Sequence, residues 1–139
     1  MAERLDLHAM LGAAHAVEDE LETKLNAIGL SGAKLAALKA LSQAGESLLL
    51  SQLADRLSCV KSNITQLVDR LEADGFVARQ ADPGDRRTRL AALTPKGRKA
   101  VKEGLSVFQE TERAVLGRLS RGEVRQLQAL LDKVRGSKP

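Results

Sequence analysis

The chain has 139 residues, with 22 basic and 18 acidic side chains, one Cys, two Phe and neither Trp nor Tyr. That length suits one domain with one core and has no room for a second, catalytic domain; a lone Cys excludes an intrachain disulfide framework, and no apolar run is long enough to span a bilayer. Charge is uneven, with net −3 over residues 1–50, +4 over 51–100 and +3 over 101–139, a pattern that fits local phosphate contacts better than the basic blocks of a polyanion-coating protein.

In chain order, Leu7, Met10, Leu11, Ala14, Val17, Leu21, Leu25 and Ile28 keep a helical period and predict a first helix ended by Gly29. Glu3 and Asp6 do not fit a basic secretory leader, so the chain is read as cytoplasmic. His8 and His15 lie two helical turns apart, roughly 10 Å, too far to share a metal, and no metal site is assigned. Ser31 caps a second helix in which Leu35, Leu38 and Leu41 recur before Gly45 closes it. Leu48, Leu49 and Leu50 form a short strand. A brief helix over Ser51 to Leu57 follows, capped by Ser51, with small Ala54 on its apolar side where another helix crosses closely.

Ser58, Cys59 and Val60 make a turn, and from Lys61 the apolar Ile64, Leu67, Val68 and Leu71 fall on one helical face. The opposite face carries Ser62, Asn63, Thr65, Gln66, Asp69 and Arg70, hydrogen-bonding groups of the kind a major-groove reader needs near its N-terminus. Gly75 supplies a left-handed stop. The runs 76–80 and 88–93 then read as strands around a turn over 82–87 that contains Pro83, Gly84, Arg86 and Arg87. Two adjacent arginines at a hairpin tip suit a wing that reaches phosphates or a narrow minor groove; taken alone they also suit a solvated turn that protects a sheet edge. Thr94 and Pro95 open a long helix with Val101, Leu105, Phe108, Val115 and Leu119, which Gly104 and Gly117 weaken or bend. Ser120 and Glu123 form a capping box for a last helix with Val124, Leu127, Leu131 and Val134.

Helix, turn, helix, strand, arginine-rich turn and strand is the order of a winged helix-turn-helix, so the expected fold is mainly α with a small antiparallel β wing. The segments LVDRLEADGFV at Leu67 to Val77, DPGDRR at Asp82 to Arg87 and LTPKG at Leu93 to Gly97 stand in the order and spacing of the multiple-antibiotic-resistance regulator (MarR) family, which the chain resembles over nearly its whole length. The resemblance implies a single MarR-type domain over 1–139, with dimerisation helices at 1–30 and 100–139 and a DNA-binding module at 31–99. It further implies a homodimer that binds double-stranded DNA at a pseudo-palindromic operator, a repressor in most members. The helix at 61–74 would enter the major groove and the wing at 82–87 the minor groove, with Asp85 holding Arg87 by an ion pair. The expected DNA contacts are Lys61, Ser62, Asn63, Thr65, Gln66, Arg70, Arg86 and Arg87, with Ser62, Asn63 and Gln66 facing bases.

A small-molecule effector is implied too, but no residue names it; with only Phe76 and Phe108 available, a pocket would be mostly aliphatic. Cys59 stands near the positive end of the recognition-helix dipole and close to Lys61, which favours thiolate and makes it a candidate redox sensor; its other reading is a small apolar filler of the turn. Val60 occupies a position where the family often has a capping Ser or Thr, leaving Ser58 or Ser62 to supply the acceptor, or a DNA phosphate to hold this terminus in the complex. No phosphate-binding loop, nucleophile elbow or dinucleotide fingerprint is present, so the chain is read as a non-enzyme without cofactor. The rival readings are a winged-helix module that binds protein instead of DNA, and an architectural DNA binder without effector.

Overall fold

The computed structural model describes residues 4–58 and 61–136. Its elements are α1 (Leu7–Asn26), α2 (Gly32–Gln43), β1 (Ser47–Leu49), α3 (Leu50–Arg56), α4 (Lys61–Ala73), β2 (Val77–Asp82), β3 (Asp85–Leu93), α5 (Pro95–Leu116) and α6 (Arg121–Val134). The strands form one antiparallel sheet in the order β1-β3-β2, so this is the expected mostly helical winged fold.

Most helix boundaries follow from local chemistry. The Ser31 hydroxyl accepts from Lys34 N–H (3.1 Å), the Thr94 hydroxyl from Gly97 N–H (3.0 Å), and Ser120 and Glu123 cap each other's backbone N–H. At the other ends, α1, α2 and α4 close with a left-handed glycine, Gly29, Gly45 and Gly75, while the next N–H reaches back to Leu25, Leu41 and Leu71 carbonyls.

Four local expectations need correction. α3 begins at Leu50, so Ser51 lies inside its first turn and does not cap it. Pairing of Leu49 with Leu90 in the sheet carries the chain directly into the helix, and Leu49 N–H donates to Gln52 Oε1 at 3.1 Å. For the same reason the short strand covers Ser47–Leu49 and excludes Leu50. The wing turn is shorter than 82–87. Gly84 N–H donates to Asp82 Oδ1 (3.1 Å), closing a turn of Pro83 and Gly84 alone, and Arg86 and Arg87 belong to β3. Finally, α5 runs through Gly104 and stops at Gly117, which leaves Leu119 outside it.

α2 is the hub. Leu35, Leu38 and Leu41 meet Leu25 of α1, Leu53 of α3, Ile64, Val68 and Leu71 of α4, Ala91 of β3 and Val101 of α5 in one buried cluster. Two glycines allow backbones to close on it. A Cβ on Gly104 would stand 2.5 Å from Leu35 Cδ1, and one on Gly97 would overlap the Phe76 carbonyl oxygen, so α5 lies directly against α2 and against the exit from α4. Arg118 Nη2 donates to Glu20 Oε1 (2.7 Å), tying the end of α5 to α1. α6 has no buried residue.

Candidate DNA interface

α4 is amphipathic as its sequence predicts. Ile64, Val68 and Leu71 are buried and Leu67 partly so, while Asn63, Thr65, Gln66, Asp69 and Arg70 are exposed on the other side. Of the expected DNA contacts, Asn63, Thr65, Gln66 and Arg70 therefore share one outward face. Lys61 and Ser62 stand in the first turn of the same helix, and Arg86 and Arg87 at the start of β3. Asp85 pairs across the hairpin with Asp82, and the register steps between Ala81, opposite Arg89, and Asp82, opposite Asp85. Cys59 and Val60, on which the redox and capping readings rest, lie outside the described residues.

The C-terminal end of α4 is held at several points. Lys34 of α2 pairs with Asp74 at 2.8 Å, Lys96 of α5 donates to the Asp74 carbonyl at 2.7 Å and lies 5.3 Å from the Phe76 ring centroid, and the Thr94 hydroxyl donates to the Gly75 carbonyl at 2.6 Å. The helix that presents the polar face is thus fixed against both α2 and α5 where it leaves the core, and the wing starts from that fixed point.

Sequence reasoning missed Arg79. This β2 residue reaches Asp69 (2.6 Å), Glu72 (3.4 Å) and the Thr65 carbonyl (3.3 Å), all on α4. By helical period Asp69 falls with the polar face, but its carboxylate is engaged by the wing strand. The available signal was Asp69 and Glu72 one turn apart on a helix followed closely by a strand with a single Arg. Arg89, exposed on β3, and Arg56, exposed at the end of α3, add positive charge that the predicted contact set omitted.

Away from this face, α1, α2 and α5 enclose a cavity of about 190 Å³ lined by Leu21, Leu35, Ala36, Leu105 and Phe108, with Lys39 among its walls. A second hollow of about 230 Å³, lined by Val17, Leu21, Phe108, Val115 and Leu116, opens between α1 and α5. Both linings are mainly apolar, with Phe108 the one aromatic side chain and Lys39, Thr111 and Glu112 the polar members. Among the described residues no cluster of three potential metal ligands occurs, and no helix is long and apolar enough to cross a membrane.

The model of the MarR family matches residues 28–88. The HTH-type transcriptional regulator YkoM of Bacillus subtilis is 36% identical over 83 residues, covering 60% of this chain and 50% of its own, so the chain spans half the length of that relative. The HTH-type transcriptional repressor Rv2887 of Mycobacterium tuberculosis is 30% identical over 115 residues, covering 83% of this chain and 82% of its own. In structure, the chain superimposes on MepR of S. aureus, solved as a complex with DNA, with a TM-score of 0.80 and 25% identity, over 98% of this chain and 100% of that one.

Proposed function

The chain belongs to the MarR family, and from that premise we propose that it is a sequence-specific transcription regulator that binds double-stranded DNA as a homodimer. The observation that carries this reading is the outward face of α4, where Asn63, Thr65, Gln66 and Arg70 stand exposed over the buried Ile64, Val68 and Leu71, beside a wing hairpin. Asn63 and Gln66 have the paired donor and acceptor that fits adenine in the major groove. Lys61, Ser62, Thr65 and Arg70 serve the adjoining bases and phosphates. Arg86 and Arg87, starting the second wing strand, reach the minor groove, with Asp85 orienting Arg87. Of the relatives named above, both are regulators by name and one is a repressor; a repressor blocking a promoter is the corresponding role here.

The dimer is supported by the ends of the chain. Leu127, Leu130, Leu131 and Val134 of α6 are 37–61% exposed, and Leu7, Leu11 and Val17 of α1 are 41–68% exposed. These stripes are continuous enough to require a partner surface, and a second copy supplies the matching one. Two-fold symmetry places the two α4 helices on half-sites about one helical turn apart, roughly 10 base pairs. The cavity between α1, α2 and α5 suits a small, largely apolar effector with a group that Lys39 can meet.

Fluorescence-anisotropy titration of the protein against duplexes enriched from a randomised pool, with scrambled duplex as competitor at two salt concentrations, tests the reading. Enrichment of an inverted repeat that survives the competitor is expected. Equal binding to scrambled DNA would convert the role to an architectural one, and no binding at either salt would leave a protein-binding module.

A further inference from the structure

Arg79 links the wing to α4 through more than one bond. Its Nη2 lies 2.6 Å from Asp69 Oδ1 and donates to the Thr65 carbonyl at 3.3 Å, its Nη1 donates to Glu72 Oε1 at 3.4 Å, and its backbone N–H donates to Glu72 Oε2 at 3.1 Å. The Arg79 side chain is 25% exposed, against 56% for Asp69 and 43% for Glu72, so the cation sits beneath the helix edge with both carboxylates further out. A guanidinium holds groups in several directions at once because its donors form a rigid fork, which a lysine ammonium lacks. An isolated surface ion pair contributes little, but a fork fixed on three points of one helix resists rolling of that helix.

Rolling is the motion that matters for reading bases. With side-chain tips about 5–6 Å from the helix axis, a roll of about 20° moves them by about 2 Å, enough to break a hydrogen bond of ~2.9 Å. Gln66 lies one turn before Asp69, and Asn63 a further turn before that, so the clamp acts on the face that bears them.

We propose that Arg79 is a positioning residue for base recognition, setting the roll of α4 relative to the wing so that Asn63 and Gln66 meet base edges while the wing meets the backbone. This rests on the DNA-binding reading above. Arg79 itself touches neither base nor phosphate. Its loss therefore lowers the preference for the correct sequence, not the general attraction to DNA.

The test compares affinities for the duplex enriched from a random pool and for its scrambled counterpart, across a salt series, in the wild type, Arg79→Lys and the double variant Asp69→Asn/Glu72→Gln, each checked for folding by thermal melting. Arg79→Lys keeps the charge and loses the fork. The specific-to-scrambled ratio is expected to fall about tenfold, the scale of one misread base pair, with the salt slope unchanged. The double variant removes two negative charges beside the DNA and so binds scrambled duplex more tightly, yet its ratio falls as well. Ratios within about twofold of wild type in both variants, or losses shared equally by the two duplexes, would overturn the positioning role. A slope reduced by about 0.9 in a charge-removing Arg79→Gln variant would overturn it too, by marking a phosphate contact. A wild type with no preference at all would overturn the DNA reading and this role with it, an outcome distinct from a wild-type preference that the variants retain.

Discussion

The middle of this chain and its two ends carry the same kind of apolar pattern and treat it in opposite ways. In the middle, Leu38, Leu41, Leu53, Ile64, Val68 and Leu71 are at most 2% exposed, each covered by other helices of the same chain. At the ends, Leu7, Leu11, Leu130 and Val134 repeat at equally regular helical spacing and remain 49–68% exposed. A helical period shows that one face avoids water; it does not say what covers that face. The central module closes its own core, whereas the terminal helices leave much of their apolar stripes exposed.

The largest effect falls at the hub. Leu38→Ala leaves a hole in the fully buried core and is expected to destabilise the fold by about 2–5 kcal/mol, read as a lower urea midpoint. The matching change at an end, Leu131→Ser, is expected to leave the secondary structure intact and act on association instead. If a second copy buries Leu131, the change removes roughly 1.5–3 kcal/mol per protomer, seen in sedimentation as a shift toward monomer and in a melting temperature that depends on protein concentration. An unchanged sedimentation profile would mean that α6 is covered by something other than its counterpart.

Smaller effects sharpen the contrast. Ser120→Ala removes the hydroxyl that accepts from Glu123 N–H and is expected to cost about 1 kcal/mol of helix stability, detectable as faster amide exchange confined to α6. Arg87→Ala is expected to change fold stability by less than about 0.5 kcal/mol, yet to reduce the slope of log affinity against log salt by about 0.9. A slope identical to wild type would remove the wing from the DNA contact.

Much of the fold was legible because helix ends are local events. Thr94 with Pro95, Ser120 with Glu123, Ser31, and the glycines at 29, 45 and 75 each act within one turn of chain, so their residues alone announce them. At the start of α3 and at Arg79, a partner distant in sequence decided. Ser51 does not cap α3 because β1 pairs with a strand forty residues later and sets where the helix starts. The face of α4 that bears Asn63, Gln66 and Arg70 was readable from the period of Ile64, Val68 and Leu71. The Arg79 clamp was not, since strand residue and helix carboxylates meet only after the hairpin folds back.

By itself the sequence determined the element types, the amphipathic face of α4, the scarcity of aromatic side chains in any cavity and the family, all of which depend on residue chemistry at short range. Only the tertiary structure decided that Gly104 admits Leu35, that the wing turn is two residues with its arginines in a strand, that Arg79 ties Asp69 and Glu72 to the wing, and that among the described residues none of α6 is buried. These depend on which surfaces come to lie together, and that is settled by burial of the whole apolar core and not by any segment's own preference.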